Sequence, residues 1–385
     1  MQTGGVAILP LQGFVLSPII FFLILKSNKY RLKISSIHLR IWIVIIIVLF
    51  LQNIFNNNFN ASSIIQFLYI NLILCNAFLF VNNNLNDNLN KDIGKVLNFF
   101  LWQSLIGFVF IALFPSLLFK YSINLGSKTG PNFLGLFYAN FLGSGPWGFQ
   151  RSQGLFWEPG VLQIFLNIYL FIAIRNNFRF SKVLLIILGI IVAYSTTGYI
   201  LLSVNIFYFF IRYNKKYIKL ITLLALPFFI LLVSLNITNK LYGLDASSSL
   251  ARNIDAIMAA ELIVRSPIIG NGFYNQQELL ANSSVESVKY AFMVKNNLNN
   301  NTAFEERTGI TNGVLDLIAI LGIPLGVYFI TKLLNQKIID TNTKLEKLVF
   351  FILILVSSLS EPIMLSTFFI LLFVSSLKVR KLRLN

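Results

Sequence analysis

Two kinds of side chain in this sequence could do chemistry together: arginines suited to phosphate, and glutamates at the mouths of apolar helices. The densest group is Arg151-Ser-Gln-Gly154-Leu-Phe-Trp157-Glu158-Pro159-Gly160. A guanidinium stays charged at any working pH and binds phosphate oxygens bidentately. Arg252 and Arg265 supply two more, and converging arginines can hold a pyrophosphate and neutralise charge building on it as a leaving group. On the opposite reading, Arg151 only pairs with Glu158, and the other two solvate a loop helix. Glu158 is placed as a general base, recessed beside a cation and an aromatic pair, where burial can tune a carboxyl toward neutral. Glu followed by Pro is also ordinary chemistry at a helix start, but capping alone does not explain the preceding Arg151-x-x-Gly154. Glu361-Pro362 carries the same two readings.

The remaining candidates are secondary. Thr196 and Thr197, with Ser195, could line a sugar path or only satisfy turn backbone. Trp157 and Tyr274 could stack on sugar faces or belong to the aromatic belt at a membrane surface. Asp316 follows Thr311 and Asn312, as expected for first-turn stabilisation of a helix. His38 is the sole histidine and no Cys/Asp ligand cluster accompanies it, so no metal or other cofactor is expected. No nucleophile elbow, phosphate-binding glycine loop or nucleotide fingerprint is present, which disfavours a nucleotide-sugar donor.

These residues need a scaffold, and the composition says which. The chain has 385 residues, 56% of them hydrophobic and 12% charged, with a mean hydropathy of +0.74. Apolar runs of helical length recur throughout, so the expected fold is an all-α polytopic membrane protein. The runs do not alternate as barrel strands would. The net charge of +17 could suggest nucleic acid, but the bases fall in short clusters between apolar segments. That is the positive-inside pattern, and no nucleic-acid partner is expected. Cys75 is the one cysteine and lies in an apolar run, so no intrachain disulfide can form.

Placing the clusters at residues 26–40, 91–95, 175–182, 212–219, 332–347 and 378–383 in the cytoplasm predicts about eleven spans. They run roughly 5–25, 41–55, 63–81, 97–119, 159–174, 183–196, 199–211, 217–235, 310–331, 348–360 and 363–377. The stretches 183–211 and 348–377 carry bases at both ends, so each is read as a pair of short helices. Their outer turns are Ser195-Thr196-Thr197-Gly198 and Ser360-Glu361-Pro362. One transmembrane domain, residues 1–385, thus carries two outer loops, 120–157 and 236–309. The first is glycine-rich and read as mostly irregular. The second is too long for a plain connector and is expected to hold an amphipathic helix from about Leu250 to Val264, ending before Pro267.

Glu158, Thr197 and Glu361 precede the inner bases Arg175, Arg212 and Lys378 by 15 to 17 residues. At about 1.5 Å per residue they lie roughly 22–26 Å above the inner face, slightly below the outer surface of a layer about 30 Å thick. Polar turns at that depth must face protein or water, so a shared recess open to the outside is expected.

Together these pieces resemble the bacterial O-antigen polymerase (Wzy-type) family, within the O-antigen polymerase and ligase superfamily. The matching residues are Arg151-x-x-Gly154-x-x-x-Glu158-Pro159-Gly160, the Ser195-Thr-Thr-Gly198 turn, Arg252 leading to Arg265-x-Pro267-x-x-Gly270-x-Gly272, and Glu361-Pro362. The resemblance implies a multi-pass protein of the bacterial inner membrane with its active site facing the periplasm. It implies transfer of a glycan from undecaprenyl pyrophosphate to a hydroxyl of another lipid-linked repeat unit, in lipopolysaccharide biosynthesis. The arginines would hold the pyrophosphate and Glu158 would activate the hydroxyl. Membrane lipid and a chain-length regulator are the further partners it suggests. The superfamily's ligases use a histidine in the large outer loop, and this chain has none there, which favours polymerase over ligase. A lipid-linked oligosaccharide flippase is the rival from another class.

Overall fold

The computed structural model describes residues 36–55, 61–84, 88–120, 132–133, 137–140, 151–156, 158–213, 234, 246–273 and 310–377. Its helices are α1 (Ser36–Phe55), α2 (Ala61–Asn84), α3 (Asn88–Leu113), the short α4 (Pro115–Lys120), α5 (Pro159–Arg175), α6 (Phe180–Ala193), α7 (Thr196–Arg212), α8 (Ala246–Arg265), α9 (Gly313–Leu333), α10 (Lys344–Ser360) and α11 (Thr367–Ser376). The described chain is mostly helical. Segments 63–81, 91–113 and 313–333 are each long and apolar enough to cross a membrane. Shorter apolar helices occupy 39–55, 159–175, 180–193, 196–212 and 367–376. The expected spans 5–25 and, except for Ser234, 217–235 lie outside the described residues, as do Trp157 and Tyr274.

The first long apolar stretch is a hairpin, and the second is broken by a turn into two helices. α6 ends at Tyr194, whose left-handed backbone (φ 45°, ψ 56°) reverses the chain before Ser195 leads into α7. The α10–α11 turn covers residues 361–366. Charge placement alone located these turns, because a single crossing would have put one basic cluster outside.

α5 is the central helix, packed by α3, α6, α7 and α10. It is largely apolar apart from Gln163 and Asn167, and residues from Pro159 to Ile174 are buried almost without interruption. A helix hydrophobic all round is stable only inside a bundle. On the periphery, α3 exposes a stripe of Phe99, Trp102, Ile106, Val109 and Leu113. Their spacing keeps them on one helical face, and an apolar strip of that length suits lipid better than water.

One departure from an all-α fold is a small antiparallel sheet in the glycine-rich stretch read as irregular. Its strands are β1 (Asn132–Phe133), β2 (Phe137–Asn140) and β3 (Arg151–Gly154), in the order β1-β2-β3. Strands of two to four residues are too short to show alternation, so the sequence gives no period to read. β3 is drawn into the bundle against α3, α5 and α6. Ser152 in it is fully buried and donates to the Ser104 carbonyl at 3.1 Å.

A second departure concerns the stretch 236–309, expected as a large outer loop. α8 forms within it, as expected, but packs along α9, and the turn after it docks into a break in α9. Gly322 there has φ 78° and ψ 163°, and Pro324 follows. The freed backbone groups are taken up by the turn. Asn271 N donates to Ala319 O at 2.8 Å, Gly272 N to Ile320 O at 3.1 Å, and Ile323 N to Pro267 O at 2.7 Å. Gln52 of α1 closes the junction by donating to Ile269 O. Ala319 and Ile320 lie six or seven residues into the helix, about 10 Å from its N-terminal end at 1.5 Å per residue. This part of the loop is therefore seated at the depth of the span, where irregular backbone survives only when protein covers it.

Gly270 (φ +82°) and Gly322 (φ +78°) make that seat possible. A Cβ on Gly270 would lie 2.6 Å from Leu321 C, and one on Gly322 would lie 2.8 Å from Ile268 C. Neither clash is with a side chain that can swing away, and both φ values are costly for L residues. Gly270→Ala or Gly322→Ala should each destabilise the protein by more than about 2 kcal/mol. Thermal unfolding of the purified protein in detergent checks this, and an unchanged midpoint would contradict the interlock.

Candidate functional site

Glu361 occupies the junction of three helices. It ends α10, is 2% exposed, and passes its main chain over the start of α9, where a Cβ on Gly313 would lie 2.6 Å from Glu361 O. Its carboxylate rests on the first turn of α5: a Cβ on Gly160 would come 2.8 Å from its Cδ, so a larger residue there would have to displace the carboxylate. The N-terminal ends of α5 and α9 both carry partial positive charge, which favours a carboxylate at this spot. A cation adds to it. Arg252 Nη2 of α8 stands 3.8 Å from Glu361 Oε1.

Arg252 keeps its place because α8 is pinned one turn further on. Asp255, 5% exposed, accepts from Thr311 N at 3.1 Å and from Thr311 Oγ1 at 2.7 Å. Asn312 then caps α9, accepting from Val314 N and Leu315 N at 3.1 and 3.0 Å. An acid among the apolar residues Ile254, Ile257 and Met258 was the available signal for Asp255, and the sequence reading passed over it.

Glu158 stands at the same end of α5. It is the N-cap in extended backbone (φ −141°, ψ 146°), yet its side chain makes no capping hydrogen bond. Its main-chain carbonyl accepts from Val161 N at 3.2 Å. The half-buried Glu158 and the buried Glu361 thus flank one helix mouth.

The guanidinium carbon of Arg151 on β3 lies 5.8 Å from the Tyr194 ring centroid. This places Arg151 over the α6–α7 turn at Tyr194–Ser195; Thr196 and the buried Thr197, expected in that turn, form the start of α7 instead. Gly198 follows, pressed against Gln163 of α5, whose Cγ and Oε1 would lie 3.0 Å from a Cβ there. Gly154 (φ +61°) lets β3 close on α3, where a Cβ would meet Gln103 Oε1 at 2.5 Å.

Arg265 stands apart from Arg252. It pairs with Glu261 at 2.5 Å and is 41% exposed. Thirteen residues separate it from Arg252 on one helix, or about 20 Å at 1.5 Å per residue. The Arg265-x-Pro267-x-x-Gly270-x-Gly272 motif places its glycines in the backbone interlock with α9 and α1.

A second charged group ties the C-terminal ends of α5 and α7 to the start of α10, and the sequence reading missed it. Glu346, 3% exposed, accepts from Arg212 Nη1 at 2.8 Å, from the Tyr208 hydroxyl at 3.0 Å and from Asn342 N at 2.7 Å. It also completes a capping box with Thr343, and Arg175 Nε lies 3.7 Å away. Burial pushes this carboxyl up, but the Asn342 N–H, the Tyr208 hydroxyl, the Thr343 N–H and Arg175 together outweigh it and hold it below the ordinary range. A group depressed on folding stabilises above its unfolded value, about 4.3 for Glu, and loses that contribution as pH falls toward its folded value. Wild type should therefore lose more stability than Glu346→Gln between about pH 5 and pH 3. Parallel acid-titration curves for the two proteins would refute the assignment.

No family model, no curated protein and no solved structure matches the chain.

Proposed function

We propose that the protein is a polysaccharide repeat-unit polymerase, a metal-independent glycosyltransferase working at the outer face of the bacterial inner membrane. Its donor is a glycan on undecaprenyl pyrophosphate, and its acceptor is a hydroxyl on another lipid-linked repeat unit. The observation that carries this reading is the mouth of α5, where Glu158 holds the N-cap position and the buried Glu361, paired with Arg252, rests on the first turn. Arg252 and Arg151 hold the diphosphate, and Arg265 remains a candidate at the far end of α8. Glu158 takes the proton from the acceptor hydroxyl as that oxygen attacks the anomeric carbon. The bond from this carbon to the phosphate oxygen breaks, and the polyprenyl pyrophosphate leaves with its charge neutralised by guanidinium. Opposed attack inverts the anomeric centre. Glu361 balances Arg252 until phosphate replaces it. Gly154, Thr196 and Thr197 shape the surroundings of the diphosphate rather than take part in the chemistry.

A second reading has one observation in its favour. Broken helices near the middle of a span are common in transporters, and α9 is broken at Gly322; a lipid-linked oligosaccharide flippase would account for that. Deleting the gene separates the two. A polymerase deletion leaves outward-facing single repeat units that are never extended, whereas a flippase deletion leaves no repeat on the outer face. An O-antigen ligase would instead leave finished polymer on its lipid carrier.

A further inference from the structure

Below Glu361, the buried face of α5 presents two amides, and α7 adds a third. Gln163, Asn167 and Asn205 are all fully buried in otherwise apolar helices. Asn167 Nδ2 donates to Gln163 O at 2.9 Å, to Gly198 O at 3.2 Å and to Gln163 Oε1 at 3.1 Å. The two main-chain carbonyls can only accept, so they fix which end of the Asn167 amide is nitrogen. Asn205 Nδ2 in turn donates to Asn167 Oδ1 and O, both at 3.1 Å.

The chain of amides therefore has a direction. Its inner end is Asn205 Oδ1 and its outer end is Gln163 Nε2, and among the described residues neither atom has a hydrogen-bond partner. Turning the Gln163 amide over would set its nitrogen against the Asn167 nitrogen, donor facing donor. The unused Nε2 is thus a consequence of the network and not of an arbitrary assignment. A buried donor without an acceptor is costly, and an apolar residue of the same size would serve packing better.

Its position indicates what it is for. Gln163 follows Gly160 by three residues, about 4.5 Å along the axis of α5, and Gly160 carries the Glu361 carboxylate. An acceptor and a neutral donor one helical turn apart match a group that both donates and accepts. A hydroxyl does so. A phosphate oxygen only accepts, and the carboxylate repels it.

We infer that Glu361 and Gln163 together bind a hydroxyl of the carbohydrate acceptor, with Gln163 Nε2 donating to its oxygen and its proton directed to Glu361. This rests on the polymerase reading, since it presumes a carbohydrate. The hydroxyl is a neighbour of the one that reacts at Glu158, and holding it fixes which position of the sugar is extended. Water offers the same chemistry and is the competing occupant.

The test uses full-length protein in lipid nanodiscs and lipid-linked single repeats extracted from the deletion strain. Gln163→Met keeps the volume and removes the donor. It should unfold no more easily than wild type, because Asn167 keeps its two main-chain acceptors. Its KM for the acceptor should rise by at least about tenfold with kcat little changed, the signature of lost ground-state binding. Gln163→Leu should do the same, which guards against misfolding of one variant. Wild-type KM and kcat in both, with wild type extending the extract, would mean that the amide holds only water and would overturn the inference alone. An extract that wild-type protein cannot extend would overturn the polymerase reading, and this site with it.

Discussion

Arg252→Ala should abolish chain extension and also weaken the fold, whereas pairing it with Glu361→Gln should restore only the fold. Removing one partner of a fully buried ion pair costs about 3–5 kcal/mol, because the other charge is left stranded. Here the cost should be smaller, about 1–2 kcal/mol. Arg252 is 37% exposed, the 3.8 Å separation is longer than a hydrogen bond, and the α5 terminus still supports the carboxylate. In the double variant the stranded charge is gone, so the unfolding midpoint should return close to wild type. Extension should not, because the diphosphate has lost its guanidinium. Recovery of both together would assign the pair a purely structural role.

Glu158→Gln should produce the converse separation, with extension lost and stability kept. Removing a general base typically lowers a rate by 10²–10⁴, roughly 3–5 kcal/mol of barrier. A carboxylate that capped α5 would add a stability loss of about 0.5–2 kcal/mol. The Glu158 side chain makes no such bond, so the amide should be tolerated. Cells carrying this variant should accumulate single outward-facing repeats, as the deletion does, while the protein level stays at wild type. A variant that still elongates would remove Glu158 from the reaction and leave Glu361 as the carboxylate of the site.

Much of this scaffold was legible from charge and apolar run length. Basic residues at both ends of 183–211 and 348–377 demanded hairpins, and the chain turns at Tyr194–Ser195 and at Glu361. Glu158, Thr197 and Glu361 could be placed near one depth by counting back from inner bases, because helix rise is constant. Contacts between distant segments could not be read. Nothing local says that Glu361 lands on Gly160, 201 positions earlier, or that Arg252 reaches it. The close backbone approach that the glycines of the Arg265 motif permit could not be read either, because it depends on where α9 and α1 lie. The amides of Gln163, Asn167 and Asn205 were visible as polar residues in apolar helices, but their pairing depends on how α5 and α7 face each other.

The central claim is the transfer itself. Purified protein in nanodiscs, supplied only with lipid-linked single repeats and a chelator, should make oligomers and release one polyprenyl pyrophosphate for each linkage formed. Oligomers of whole repeats with matched pyrophosphate release from wild type, and neither from Glu158→Gln, is the predicted result. Wild-type protein that leaves the single repeats unjoined would contradict it.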